Sequence, residues 1–350
     1  MPTAAIRQKG VGIVEVMVSV VIGMLLVLMM FQAYLVTEGQ KRTVTSGSDA
    51  QQNAAYGIFL LTQDLSMAGN VVAASATAMS GCAMARPVPA VIAAGATDND
   101  PDTVTVLYGG GGSLETPVPL LANATMSGAT PGVFQVAGPV AFNPNDVILA
   151  VQGNNCTMST INAGGVSVAA PTGIATISHT LTATTGNNTA ATYNAVSASL
   201  VNLGQPDRFA QIRYAVDTVN ATLTTQSLLP TAQAVTPVVA QVVNLKALYG
   251  LDTDGDGTVD TWQTATGNWS SANLPAQPLA TWRQVRAVRV ALVTRSSQYE
   301  STLVTPGPIG IFCTPAPCAF SMTLTADQQH YRYKVLETTV PLRNAVWNAS

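Results

Sequence analysis

"KGVGIVEVMVSVVIGMLLVLMMF", residues 9–31, decides how this chain is read, because it is a long apolar run with one carboxylate near its start. Val16 to Phe31 carries no charge, and the next ionisable residue after Glu15 is Tyr34. A helix needs about 20 apolar residues to span a bilayer, and residues 11–37 supply them. A carboxylate at the centre of such a segment costs about 2.5–3.5 kcal/mol, and less near an end. Glu15 therefore calls for a partner.

The helical pattern continues past the apolar run. Ala54, Ile58, Leu61, Leu65 and Ala68 recur at spacings of 4, 3, 4 and 3, one face of a helix, while Gln51, Gln52, Gln63 and Asp64 mostly fall off it. Gly69-Asn70 is a stop signal. The spacing predicts one helix over residues 11–69, greasy all round over its membrane half, 11–37, and amphipathic thereafter. Gly39 and Gly47 each weaken it by about 1 kcal/mol relative to Ala. The alternative is two helices joined near those glycines.

Of 350 residues 47% are hydrophobic but only 9% charged, well below the roughly 25% of ordinary domains. A net charge of -3 offers no electrostatic basis for binding nucleic acid. Beyond residue 70 the chain is rich in Ala, Thr, Ser, Asn, Gly and Val, a mixture suited to strands and polar loops. "TVTVLY" (103–108), "DVILAV" (146–151), "GIATISHTL" (173–181), "FAQIRYAV" (209–216), "VRAVRVALVTR" (285–295) and "YRYKVLETTV" (331–340) read as strands. "YGGGGS" and "TATTGNNTAAT" read as loops of an elaborated β-subdomain over residues 75–200. The fold class is α+β, with one large antiparallel β-rich domain over residues 70–350.

Cys82, Cys156, Cys313 and Cys318 all follow the apolar segment. Arg7 and Lys9 precede it, and Lys41 and Arg42 follow it with Glu38, a weak preference for a cytoplasmic N-terminus. An even cysteine count on the outer side fits an oxidising compartment. The Cys-Thr-Pro-Ala-Pro-Cys stretch, 313–318, looks like a local disulfide ring, which leaves Cys82–Cys156 as the second bridge. Four free buried thiols are the alternative.

Enzyme chemistry finds little to hold. His179 and His330 lie in no metal or nucleophile motif, and the glycines at 109–112 lack the Lys-Ser/Thr of a phosphate loop. Trp262, Trp269, Trp282 and Trp347 read as packing residues. One motif points to a metal. In "DTDGDGTVD", residues 252–260, Asp252, Asp254 and Asp256 fall at positions 1, 3 and 5 of an EF-hand-like loop. Gly257 takes position 6, Thr258 offers its carbonyl at 7 and Asp260 falls at 9. Carboxylates this close repel unless a hard cation neutralises them, and oxygen-only ligands select Ca²⁺. Gln263 replaces the bidentate Glu at position 12. The bland alternative is an acidic hairpin turn, with "LKALYG" before it a strand and "TWQTATGNW" after it a loop.

A basic leader over residues 1–10, Gly10 before the apolar core, and Glu15 as the fifth residue counted from Val11 resemble the prepilin signature. That resemblance implies a prepilin peptidase cutting between Gly10 and Val11 on the cytoplasmic side, N-methylation of Val11, and a helix retained in the inner membrane. It also gives Glu15 a partner, the new α-amino group on Val11 of an adjoining subunit. "YGLDTDGDGTVDTW" (249–262), "VRAVRVALVTRS" (285–296) and "LETTVPLRN" (336–344) are similar to the C-terminal half of PilW-family minor pilins of type IV pili, themselves related to J-type pseudopilins of type II secretion. The resemblance implies a type IV pilin-like fold and a non-enzymatic protein that primes assembly and sits at the pilus tip. Its implied partners are other minor pilins, the major pilin and a tip adhesin, with the β-domain periplasmic before assembly. A J-type pseudopilin and a membrane-anchored surface binding protein are the alternatives. Two departures stand out: Val11 where pilins commonly carry Phe, and Gln32 where major pilins carry a kinking Pro.

Overall fold

A computed structural model of the chain describes residues 10, 12–71, 75–82, 88–110, 116–126, 132–182 and 191–344. Residues 1–9 of the expected leader, Val11, Trp347 and parts of the two Gly- and Thr-rich loops lie outside the described residues. The chain divides into two units, residues 1–49 and 50–350.

The first unit holds the N-terminal part of helix α1 (Ile13–Met67). Its Ile13–Tyr34 stretch, 22 residues of mean hydropathy 2.7, is long and apolar enough to cross a membrane. Ser19, a polar residue within it, turns its hydroxyl back to the Glu15 carbonyl at 2.6 Å. Such i−4 bonding leaves no unsatisfied hydroxyl on an apolar surface.

The second unit begins with the last part of α1, whose Ala54, Leu61, Leu65 and Ala68 are buried. The predicted apolar stripe is thus the face turned to the core. α1 stops at Met67, and Gly69 follows in the left-handed region at φ 78°, a conformation that terminates helices at little cost for glycine. A short helix α2 (Ala76–Met79) comes next.

Strands β1 (Ala90–Ala93) and β2 (Thr103–Tyr108) precede an inserted run of eight. These are β3 (Val118–Pro119), β4 (Ala124–Thr125), β5 (Gly132–Ala137), β6 (Val147–Gln152), β7 (Asn155–Ala169), β8 (Ile174–Leu181), β9 (Thr192–Tyr193) and β10 (Ser199–Gly204). Six of them form an antiparallel sheet in the order β3-β10-β6-β7-β8-β5. Its two ends meet, because Leu120 bridges Val136 and the Leu121 N–H donates to the Gln135 carbonyl at 2.8 Å. The sheet therefore closes into a small barrel, which removes most of its free edges. Phe134, Ile148, Ile161, Ile177, Tyr193 and Leu200 fill the interior. The outer face of β6, β7 and β10 packs through Leu149, Met158 and Leu203 onto Met79, Cys82 and Leu107.

After the barrel the chain makes β11 (Ala210–Asp217), β12 (Thr222–Leu229), β13 (Thr236–Ala240), β14 (Val242–Leu251), β15 (Thr261–Gln263), β16 (Val285–Arg295), β17 (Ile309–Ile311), β18 (Phe320–Met322) and β19 (Tyr333–Pro341). They complete a five-stranded sheet, β1-β2-β11-β12-β13, and build a four-stranded one, β15-β14-β16-β19. The "TWQTATGNW" segment, which reads as loop, begins with strand β15, because Trp262 pairs with Gly250 of β14. Both sheets share one core with α1, in which Leu61 and Leu65 join Val104, Leu223, Leu245, Val288 and Leu292. Gly57 permits the close approach: a Cβ there would lie 2.5 Å from Leu292 Cδ1. The other face of the four-stranded sheet, carrying Leu248, Ala291 and Val293, is covered by the β17–β18 hairpin through Ile309, Ile311 and Phe312.

Candidate functional site

The acidic loop leaves β14 at Leu251 and returns as β15 at Thr261, residues that pair with each other. Gly255 and Gly257 turn it at φ 85° and 90°, where a Cβ would be strained. Asp252 lies beneath, only 2% exposed. Its Oδ1 accepts the Gly255 N–H at 2.6 Å, and its Oδ2 accepts the Gly257 N–H at 3.0 Å and Arg286 Nε at 2.9 Å. Asp260 Oδ2 accepts the N–H and hydroxyl of Thr253 at 2.6 and 2.8 Å. Burial pushes the Asp252 carboxyl up, but Arg286 and the two glycine N–H groups outweigh it and hold it below the usual range. The Thr253 bonds do the same for Asp260.

Of the five residues expected to hold a metal, the fold brings three together: one carboxylate oxygen each of Asp252, Asp254 and Asp260 lies within 4.8 Å of the others. Asp256 is turned to its own loop, where its Oδ1 accepts the Thr258 N–H and hydroxyl at 2.7 and 2.6 Å. Three carboxylates against one guanidinium leave negative charge for a divalent cation, and the donors are all oxygen. The residues fit a hard cation such as Ca²⁺.

Gly10 is exposed, and no heavy atom lies within 4 Å of where its Cβ would be. Glu15 sits exposed in the first turn of α1, where a negative charge complements the helix dipole. The expected cleavage also needs Val11, which lies outside the described residues. Both expected disulfides are present, Cys82–Cys156 and Cys313–Cys318. The first fastens the segment after α2 to the barrel strand β7; the second closes an exposed ring in the β17–β18 hairpin.

Three polar clusters carried no sequence signal. Asp64, which the periodicity placed mostly off the buried stripe, is half-buried and accepts the hydroxyls of Tyr214 at 2.7 Å and Tyr108 at 3.3 Å. Burial raises its carboxyl against the pull of those two bonds. Lys246 is buried against Asp102, and His179 is buried in the barrel with its ring stacked on Phe134 at 4.2 Å. Among the described residues neither His179 nitrogen has a hydrogen-bond partner, and burial lowers its pKa to about 4. His330 has its own fit, stacked on Tyr299 at 4.6 Å with Nδ1 2.6 Å from the Glu300 carbonyl. Trp282 is a core residue whose indole N–H donates to the Leu274 carbonyl at 2.6 Å.

Residues 210–344, from β11 to just past β19, match the family model described as Type IV Pilus-assembly protein W. The matched region takes in the four-stranded sheet, the acidic loop and the exposed cystine ring, while the barrel lies outside it. No curated protein and no solved structure matches the chain. An apolar N-terminal helix continues into an amphipathic segment packed on this matched sheet, and the match over residues 210–344 relates the chain to the PilW family of type IV pilus-assembly proteins.

Proposed function

We propose that this protein is a minor pilin that helps start pilus assembly and stays in the tip complex of the filament. It works by packing and subunit contacts, without turnover. The observation that carries the reading is that the sheet matched to the pilus-assembly family shares one core with α1, through Leu61, Leu65, Leu245 and Leu292. The opposite side of the same helix leaves Tyr56 and Phe59 exposed, at 52% and 60%, ready for neighbouring helices. Before assembly the apolar segment resides in the inner membrane with the β-domain in the periplasm; a peptidase cut after Gly10 then frees an amine on Val11. Glu15 pairs with such an amine on an adjoining subunit, since opposite charges in apolar surroundings attract strongly and neither is stable there alone. Its partners are other minor pilins, the major pilin and a tip adhesin.

The test is immunodetection of the mature protein in the tip fraction of sheared pili. Glu15→Val should be cleaved yet enter filaments poorly, and Gly10→Leu should accumulate as a slower-migrating precursor. Normal tip incorporation of Glu15→Val would refute the pairing. Recovery only with secreted exoproteins would assign the chain to a J-type pseudopilin role, and an uncleaved protein absent from pili would make it a membrane-anchored binding protein.

The acidic loop adds a second element to the proposal. It takes Ca²⁺ through Asp252, Asp254 and Asp260, and the ion stiffens the β14–β15 connection. The convergence of three carboxylates within 4.8 Å supports this.

A further inference from the structure

The outer edge of β19 is a free hydrogen-bonding edge, and its parity follows from two bonds. Leu342 N–H donates to the Arg286 carbonyl at 2.8 Å, and Ser296 N–H donates to the Arg332 carbonyl at 2.7 Å. With the register Val340↔Val288 to Lys334↔Thr294, the even-numbered residues of β19 bond to β16. The backbone groups of Tyr333, Val335, Glu337 and Thr339 therefore point away from the sheet. Among the described residues nothing bonds to them.

The chain itself uses this edge just upstream and then leaves it. Val304 N–H donates to the Gln329 carbonyl at 3.0 Å, and the Thr305 hydroxyl donates to the Tyr331 carbonyl at 2.8 Å. Pro306 and Pro308 follow and have no N–H to offer. Outward N–H and C=O groups at every second residue are satisfied in register only by another extended backbone.

Charge indicates which backbone. Lys334 and Arg343 are exposed at either end of the free stretch and pair with no acidic group among the described residues. The one carboxylate on β19, Glu337, is taken by Arg289 at 2.9 Å and by the Phe312 N–H at 2.6 Å. The edge is thus left with net positive charge. We propose that β19 takes, as an added strand, an extended segment of another protein that carries acidic side chains. Backbone bonds to residues 333–339 would supply its affinity and Lys334 and Arg343 its selectivity. The inference rests on the edge and its charge, and holds whichever assembly the protein serves.

Thr339→Pro and Val335→Pro each delete an outward N–H without removing a bond to β16, a substitution that edge strands tolerate. The full chain in detergent is titrated with a fluorescent ten-residue peptide alternating Val or Thr with Glu, and with its Lys-for-Glu counterpart. The acidic peptide should bind at least about tenfold tighter than the basic one, and salt should weaken it. Both proline variants should lose this binding about tenfold, Thr339→Pro with unchanged melting because Thr339 is exposed, and Lys334→Glu should reverse the preference. Thr339→Val, which keeps the N–H, should bind as the parent does. Equal binding of the two peptides, binding of neither, or full binding by both proline variants would overturn the proposal. A concentration-dependent dimer abolished by Thr339→Pro would give the edge to a second copy instead. In filaments, a fall in incorporation of both proline variants would extend the result to assembly; absence of the parent protein from filaments would count against the pilin reading alone.

Discussion

Lys246 Nζ lies 3.0 Å from Asp102 Oδ1, with each side chain 2% exposed. The ammonium spends its three donors on Asp102 and on the carbonyls of Thr97 and Asp100, at 3.1 and 2.7 Å. Asp102 in turn accepts the N–H groups of Gly95 and Ala247, both at 2.9 Å. A loop of oxygen atoms thus closes around a cation that the protein carries on its own strand β14. The loop reaches further, since Asp98 Oδ2 accepts the Ser321 N–H at 2.8 Å and Asn99 Oδ1 the Thr323 N–H at 2.8 Å. Lys246 therefore holds together the β1–β2 loop, the family-matched sheet and the hairpin that covers it.

Removing one member of this pair strands the other. Lys246→Met should destabilise the protein by about 3–5 kcal/mol, the usual cost of leaving a buried charge unpaired. Pairing it with Asp102→Asn should recover part of that loss, because no uncompensated charge remains. Denaturant melts of the four proteins of this cycle check it; additive losses would show that the two groups do not interact.

His179 makes stability fall in acid. The folded pKa is about 4, lowered by burial, against about 6.5 in the unfolded chain. Below pH 6.5 the unfolded state gains a proton that the native state refuses. Stability is therefore whole above pH 6.5 and declines as pH falls toward 4, by up to about 3 kcal/mol. His179→Phe, stacked on Phe134 in the same way, should flatten this part of the pH profile. A profile unchanged by the substitution would place the acid sensitivity elsewhere.

The two disulfides differ in what they constrain. Cys82–Cys156 spans 74 residues and Cys313–Cys318 spans 5. Loop-closure entropy gives about 4 kcal/mol for the first and about 2 kcal/mol for the second. Cys82→Ser/Cys156→Ser should accordingly lower the melting temperature more than Cys313→Ser/Cys318→Ser. The reverse order would mean that the small ring is needed to seat the hairpin on the sheet.

Calcium should raise the melting temperature of the full chain, with half-effect near 10⁻⁴–10⁻³ M, roughly the range of extracellular sites with few ligands. Asp254→Asn/Asp260→Asn should abolish the rise while sparing the Asp252–Arg286 bond. Asp256→Asn should keep it, because Asp256 is turned to Thr258 rather than to the other carboxylates. An equal calcium response in the Asp254/Asp260 variant would leave the loop as a turn.

The sequence by itself determined the N-terminal helix, its buried face and several of the strands, while β5, β7, β12 and β13 were not among the runs that read as strands. The 103–108 and 285–295 strands appear with the predicted bounds, and the stripe of Ala54, Leu61, Leu65 and Ala68 is buried as its spacing requires. Periods of 2 and 3.6 are local properties, set by how the backbone of each element projects its side chains. Only the tertiary structure decided what those elements meet. Leu120 bridging Val136 turns the inserted strands into a barrel, and no residue pattern announces such a closure. Lys246 finds Asp102 across 144 residues, and Asp64 finds Tyr214 across 150, which draws an apparently solvent-facing carboxylate inward. His179 reads as an ordinary strand residue until the barrel excludes water from it. Even in the acidic loop, spacing alone put Asp256 with the ligands, whereas the fold spends its carboxylate on Thr258. Desolvation and hydrogen-bond partnership depend on which atoms are neighbours after the chain closes, and nearness along the chain does not decide that.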